Sequence, residues 1–341
     1  MLRFSLYIIT LFIVVQSQAQ IGGEKSYEFL NIPHTAILTG LGGVNTSSAD
    51  KDVNLLFSNP ALVGQSLDGE MGFNYLAYFS GIQLSSFAYA HHFKEKGTLS
   101  GGFQYLSLGE IDAYDPSGVL IGSVKSGEMN ATLTFSHQIN HFRMGGGIKW
   151  VSSNIAENRS NAVMFDIGGV FIHPEKDLKV GLVIKNAGFV VSEYSETSTT
   201  KLPFDVQLGV SYKPEHMPFR FTITGYNLTK KQVLNYQAGD NSSDPPNGFD
   251  KVLSRVVIGT EVVFSENVNL RIGYNHLVRE HLRLEQTGGG AGISFGLMIK
   301  IKKIEFSYSH GGYHVGGGTN NFTIATNINR FVSGAKTNNN D

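Results

Sequence analysis

The amino-acid sequence predicts an all-β protein, a transmembrane antiparallel β-barrel of about 14 strands with an N-terminal plug segment. Three observations predict it: a leader of the export type, a series of segments in which apolar and polar residues alternate, and connections that alternate between tight and mostly longer ones. The composition agrees, because only 16% of the 341 residues are charged, whereas the chain contains 40 Gly, 23 Phe and 14 Tyr.

The first segment, residues 1–19, has the features of an export signal. One arginine lies near its start, an apolar run extends from Leu6 to Val15, and the small residues Ser17 and Ala19 lie where a signal peptidase would cut. A short transmembrane anchor is the alternative, but the run is well below the ~20 residues that a membrane-spanning helix needs. We therefore expect a signal peptide and a mature chain that begins near Gln20.

The alternating segments are expected to form the barrel wall, residues 69–331, followed by a polar tail at 332–341. In the clearest segment, residues 127–139, Leu133 and Phe135 share one face and Thr134 lies on the other. Such alternation requires a strand that is dry on one face and wet on the other. Phe135 should therefore face lipid and Thr134 the lumen, where an arginine should be tolerated.

The connections between segments favour a membrane barrel over a soluble all-β fold, which would alternate in the same way. Tight connections are expected at 94–98, 139–141, 174–177, 213–218, 265–267 and 302–303. Longer ones are expected at 109–126, 152–161, 187–201, 228–251, 277–289 and 311–319, with a short turn near Gly81 as the exception. Outer-membrane barrels combine an even number of strands with short periplasmic turns and long outer loops. The predicted location is therefore the cell outer membrane.

Residues 20–68, between the leader and the first strand, are predicted to plug the barrel. Fourteen strands enclose a lumen too wide for wall side chains alone to fill, and this segment lacks sustained alternation. Pro60 restricts its own φ to about −65° and forces Asn59 towards an extended backbone. We expect Asn59, Pro60 and Ala61 to form a rigid, apolar-anchored turn of the plug. Glycines on the wet faces of strands should let other chain segments approach the wall.

The sequence offers no convincing catalytic or cofactor-binding constellation. GISFG at 292–296 matches the G-x-S-x-G pattern, but it lies within an alternating segment and no helix follows it. SADK at 48–51 and STTK at 198–201 match S-x-x-K without the accompanying motifs. Histidine pairs lack a third ligand, and the chain has no cysteine. We expect a non-enzymatic protein without cofactor or metal, and the net charge of −1 gives no general attraction to nucleic acid.

Residues 29–64, FLNIPHTAILTGLGGVNTSSADKDVNLLFSNPALVG, resemble the hatch region of the FadL-like outer-membrane barrel superfamily. In that superfamily a glycine-containing stretch leads to Asn-Pro-Ala and then to a fourteen-stranded barrel. Within it, the leader, the total length and the FLNIP, LGG and SNPAL motifs are most similar to the PorQ family of the type IX secretion system. Leu62 is a departure, because fatty-acid transporters of the superfamily usually carry glycine after Asn-Pro-Ala. This difference bears on transport chemistry more than on the fold.

The resemblance to the PorQ family implies a non-enzymatic component of the type IX attachment complex. Its partners would be outer-membrane lipid and lipopolysaccharide and a surface protein of the PorZ type, which helps to attach secreted cargo to lipopolysaccharide. The wider superfamily leaves an alternative open, a channel for uptake of hydrophobic small molecules. In the long segment 228–251, Tyr236 and Phe249 are aromatic residues that we expect to anchor the protein partner.

Overall fold

The computed structural model describes residues 26–78, 81–115, 117–156, 158–231, 233–234, 247–282, 290–314 and 317–332. The predicted signal peptide, Tyr236 and nearly all of the predicted polar tail lie outside the described residues. Within those ranges no helix has the length and apolar character needed to cross a bilayer.

Fourteen antiparallel strands close into a single barrel, so the prediction of the fold class is confirmed. Each strand pairs with its neighbours in sequence, and β1 pairs with β14 to close the wall. The strands are β1 (Glu70–Ala77), β2 (Gln83–Phe93), β3 (Gly97–Tyr114), β4 (Leu120–Ile139), β5 (Phe142–Ile155), β6 (Asn158–Ile172), β7 (Asp177–Ser192), β8 (Asp205–Lys213), β9 (Phe219–Gly225), β10 (Val256–Val263), β11 (Val268–Asn275), β12 (Ile293–Ile301), β13 (Ile304–His314) and β14 (Gly317–Asn327).

The alternation along each strand decides which side chains point away from the lumen. Leu133 and Phe135 are 51% and 44% exposed, whereas Thr134 between them is 2% exposed. Successive side chains of a strand point to opposite faces, so the predicted facing of Phe135 and Thr134 is confirmed. Outward positions all round the barrel are likewise apolar, among them Phe73, Phe103, Trp150, Phe165, Leu208, Phe221, Ile258, Ile272, Phe295 and Phe322. This is the surface that a transmembrane barrel presents to lipid.

The prediction of a long loop is wrong at 109–126, at 152–161 and at 311–319. β3 and β4 continue pairing to Tyr114 and Leu120, and only residues 156–157 separate β5 from β6. Pairing of β13 with β14 also continues, from Gly311 opposite Thr319 to His314 opposite Gly317. Alternation fades in the β3–β4 hairpin because both faces of a strand are wet beyond the membrane, although backbone pairing continues. The sequence pattern therefore underestimates strand length there.

The two ends of the barrel differ. At one end, which we call the inner end, the strands are joined by tight turns such as 94–96, 140–141 and 302–303, and we call the opposite end the outer end. The three longest connections, 193–204, 226–255 and 276–292, lie at the outer end and include helices α2 (Gly248–Leu253) and α3 (His276–Leu282). Strands β3 to β7 have 14 to 20 residues, compared with the roughly 9–11 that a tilted membrane strand needs. They are therefore longer than one crossing of a bilayer requires.

Residues 26–68 run through the lumen from the outer end to the inner end. The Ser26 amide donates to Lys201 O in an outer connection (3.1 Å), and at the inner end the Gly69 amide donates to Ala90 O (2.9 Å). The segment contains helix α1 (Ala36–Gly40), whose N-cap Thr35 accepts from Leu38 N at 3.1 Å. It also contains the 3-10 turns Glu28–Asn31, Val53–Phe57, Pro60–Leu62 and Gln65–Leu67. We call residues 26–68 the plug.

Leu133→Arg should lower the fraction of molecules that assemble into a stable barrel, because the guanidinium would face the hydrocarbon core. The expected cost is roughly 2–4 kcal/mol near the bilayer midplane. Ile139→Arg is the matched control, since Ile139 is also outward (59% exposed) but ends β4 beside an inner turn, where the cost falls towards zero. Denaturant unfolding in lipid vesicles measures both. Equal destabilisation by the two substitutions would contradict this placement of the membrane.

The expectation that an arginine is tolerated at Thr134 is wrong. Thr134 Oγ1 lies 2.7 Å from Ser100 Oγ, and the side chain is 2% exposed. The lumen at this level is packed rather than aqueous, so a long charged side chain has no room.

Candidate functional site in the plugged lumen

The Asn59-Pro60-Ala61 turn connects the plug to itself and to the wall. Asn59 is extended (φ −155°, ψ 117°), as the following proline requires. Its Oδ1 accepts from Ala61 N at 2.9 Å, and its Nδ2 donates to Thr46 O at 3.1 Å and to Leu182 O of β7 at 3.4 Å. Asn59 and Ala61 are fully buried. One amide side chain thus holds two plug segments against one strand.

Wall glycines lie where the plug comes closest to the barrel. A Cβ atom on Gly145 would lie 2.7 Å from Ala61 N, and one on Gly168 would lie 1.9 Å from Asn59 Oδ1. The same close approach, 3.0 Å or less to a plug atom, occurs at Gly72, Gly102, Gly181, Gly209, Gly259 and Gly273. These residues belong to β1, β3, β5, β6, β7, β8, β10 and β11, so contact extends round the lumen. A side chain at these positions would push the plug away.

A charged clamp fixes the plug near its inner end. Arg143 Nη1 donates to Asp50 Oδ1 and Nη2 donates to Asp50 Oδ2, both at 2.9 Å, and the arginine side chain is 5% exposed. Bidentate pairs of this kind are among the strongest hydrogen-bonded contacts in proteins. Lys179 Nζ also donates to Ala49 O at 2.8 Å. Two wall cations therefore hold the same stretch of plug.

Two buried charge groups, which the sequence interpretation missed, line the wall itself. Lys149 Nζ of β5 lies 2.6 Å from Asp166 Oδ2 of β6, with both side chains no more than 2% exposed. Glu261 of β10 pairs with Arg220 of β9 and, at 3.1 Å, with Arg271 of β11. Charged residues on the wet faces of neighbouring strands were the available signal, but only the register brings the partners together.

Two cavities lie at the outer side of the plug. The larger, which we call the vestibule cavity, is about 780 Å³ and is mostly apolar, with a few polar groups such as Glu128. Its apolar lining includes Phe29, Ile32, Leu106 and Ile155. The smaller, the lumen cavity, is about 250 Å³ and is lined by the plug, by β7 and β8 and by outer connections. Its lining combines apolar residues such as Leu38 and Val44 with the charged residues Glu28, Lys185, Asp205 and Lys230. The two cavities adjoin, because both are lined by residues 31–33.

His34 of the plug lines the lumen cavity without adding charge to it. Its side chain is 4% exposed, and Nε2 lies 3.2 Å from Asn54 O. Burial lowers the pKa of His34 to about 4, despite the opposing effect of that hydrogen bond. The imidazole is therefore neutral at physiological pH.

The outer helices expose apolar side chains. Phe249 and Val252 of α2 are 69% and 63% exposed. Asn247 caps this helix by accepting from Asp250 N at 2.8 Å, and His276 of α3 lies 3.5 Å from Asp250. Phe249 is thus on a formed helix, whereas Tyr236, predicted to act with it, lies outside the described residues. In the described part of the chain, no group of three His, Asp or Glu side chains could hold a metal ion.

No protein-family model matches the chain, and no curated protein matches it. Among solved structures, it is similar to the "TodX monoaromatic hydrocarbon channel deltaS2 mutant", with 13% identity over 86% of this chain and 97% of that one and a TM-score of 0.49. A FadL homologue from Pseudomonas aeruginosa has 9% identity over 87% and 99% of the two chains and a TM-score of 0.44. The KdgM porin has 8% identity over 75% and 98%, with a TM-score of 0.36. None of these similarities identifies a family.

Proposed function

We propose that this protein is a non-enzymatic outer-membrane anchor, the barrel of the type IX attachment complex that holds a surface protein of the PorZ type. The observation that carries the proposal is the filled lumen. The plug contacts wall glycines on eight strands and is clamped by Arg143 on Asp50. A barrel filled in this way offers a rigid platform rather than an open path.

The outer surface supports a docking role. The wall from β3 to β7 is longer than one crossing of a bilayer requires, and Val119 and Leu120 beside its β3–β4 turn are 59% and 56% exposed. Phe249 and Val252 expose further apolar area at the same end of the barrel. Exposed apolar residues grouped on one side of a protein are typical of interaction sites. The identity of the partner rests on the resemblance of the FLNIP, LGG and SNPAL motifs.

Phe249→Asp combined with Val252→Asp should release the surface partner into the medium and leave secreted cargo unattached. Both side chains are exposed, so the barrel should remain folded and heat-modifiable on gels. Met217→Asp is the matched control, because Met217 is 52% exposed but lies in an inner turn. Immunoblots of cells and medium measure the partner and the cargo. A strain that lacks the whole protein, yet keeps its cargo at the surface, would contradict the anchoring function.

Uptake of hydrophobic small molecules is a second candidate, and the vestibule cavity favours it. Its volume of about 780 Å³ lies within the range of roughly 300–1,000 Å³ that is common for small-molecule sites, and apolar residues with a few polar groups line it. Ile32→Arg, which puts a charge into this cavity, separates the two functions. Reduced accumulation of an aromatic hydrocarbon with normal partner retention supports uptake. Unchanged accumulation supports the anchor.

A further inference from the structure

The lumen cavity contains a lysine that makes no hydrogen bond within the described part of the chain. Lys185 of β7 lines it and is only 6% exposed. Over the ranges that the structure describes, its ammonium makes no hydrogen bond, and no carboxylate lies within 4.0 Å of it. The neighbouring Lys149, by contrast, is fully paired with Asp166 and Asn186. A buried ammonium without a partner is unfavourable unless the cavity supplies one.

Asn45 of the plug presents an unused donor to the same cavity. Its Oδ1 accepts from Ser47 N at 3.1 Å and from Ser48 N at 2.9 Å, which fixes the orientation of the amide. Its Nδ2 is buried and has no hydrogen-bond partner among the described residues. The lining of the cavity thus offers a second donor in addition to Lys185.

Asp205 at the start of β8 presents an unused acceptor. Its Oδ2 accepts from Gln207 Nε2 at 2.8 Å, whereas its Oδ1 is buried and finds no donor in the described chain. The side chain is 4% exposed and lines the cavity. The lining therefore combines a cation and an amide donor with a free carboxylate oxygen.

We propose that the lumen cavity binds a small zwitterion of the α-amino-acid class. The carboxylate of the ligand pairs with Lys185 and Asn45 Nδ2, and its ammonium pairs with Asp205 Oδ1. A simple anion leaves Asp205 unpaired and is repelled by it, and a simple cation meets the same difficulty at Lys185. A zwitterion satisfies all three groups, and the volume of about 250 Å³ suits a ligand of amino-acid size.

The ligand enters from the outer side. The lumen cavity and the vestibule cavity share the lining residues Glu28, Asn31, Ile32 and Pro33. The Asn59 turn and its wall contacts close the inner side. The cavity therefore works as a dead-end binding site, and the proposal does not depend on the anchoring function.

Isothermal titration calorimetry of the purified full-length barrel in detergent tests the proposal with three probes of similar size. L-Alanine carries both charges, propionate lacks the ammonium and ethylamine lacks the carboxylate. We expect saturable binding of L-alanine with one site, at least about tenfold tighter than either of the others, since each missing charged hydrogen bond contributes on that scale. No saturable heat from L-alanine, or equal affinity for propionate, would overturn the proposal.

Two substitutions assign the ends of the ligand. Lys185→Met should weaken L-alanine at least about tenfold and spare ethylamine, and Asp205→Asn should weaken L-alanine and spare propionate. Lys125→Met is the control, because Lys125 is 83% exposed in a surface pair with Glu110 and does not line the cavity. It should leave L-alanine affinity unchanged. Unaltered affinity in Lys185→Met would overturn the assignment, and the three-probe comparison on the unsubstituted protein stands if a variant fails to fold.

Discussion

Gly145→Val should expel the plug from its seat, whereas Gly146→Val, one residue further along β5, should leave it in place. A Cβ on Gly145 would lie 2.7 Å from both Ala61 N and the carbonyl carbon of Pro60, which are backbone atoms that cannot rotate aside. A Cβ on Gly146 points to the lipid face and meets nothing closer than Asp166 O at 3.9 Å. Overpacking in protein interiors costs about 1–3 kcal/mol, and a clash with backbone should reach or exceed the upper value.

Two measurements separate the Gly145 and Gly146 variants. Displacement of the plug should expose residues 26–68 to protease and should open an ion path, seen as current steps in planar bilayers. Both variants should still show the heat-modifiable gel mobility of an assembled barrel. If both variants resist protease to the same extent and neither shows current steps, the position of the plug does not depend on this contact.

Lys149→Met should destabilise the barrel by about 3–5 kcal/mol, because it leaves the Asp166 carboxylate buried without its cation. Asp166 would keep only the hydrogen bond from Asn186 N at 2.8 Å, and its side chain is 1% exposed. Removing both charges, as Lys149→Met with Asp166→Leu, should restore part of the loss, since it is the unpaired charge that is costly. Denaturant unfolding in lipid vesicles measures each free energy of unfolding.

The control for the Lys149 prediction is an exposed pair of the same kind. Lys125 lies 3.3 Å from Glu110 across β3 and β4, with side-chain exposures of 83% and 58%. Water screens such a pair, so Lys125→Met should change stability very little. A loss from Lys149→Met no larger than that from Lys125→Met would show that the buried pair contributes nothing beyond a surface contact.

The sequence predicted the wall well and the loops less well. Period-two alternation is a local property, so Leu133 and Phe135 could be assigned to lipid and Thr134 to the lumen from thirteen consecutive letters. The same reasoning failed at 109–126 and 152–161, where strands continue beyond the membrane and alternation no longer marks them. The lumen beside Thr134 was expected to be aqueous. Alternation shows that this face of the strand is polar, but it does not show whether the plug fills the space in front of it.

The charged contacts of the candidate site were beyond prediction. Asp50 and Arg143 are 93 positions apart, and Arg220 and Glu261 are 41 apart. Their pairing depends on the register of every strand between them and on the path of the plug. The lumen cavity has the same origin, since Asn45, Lys185 and Asp205 come from three separate elements.

The sequence by itself determined that this chain forms a closed barrel of fourteen strands and which side chains face lipid. It also determined that a proline-stiffened segment precedes the wall. Each of these conclusions follows from local periodicity, composition and backbone restriction. Only the tertiary structure decided where the plug meets the wall glycines and which lumenal charges are paired. It also decided that Lys185 makes no hydrogen bond to the residues that the structure describes. The physical reason is barrel closure, since it fixes the neighbours of each inward side chain across strands and across the lumen, and distance along the chain carries no information about them.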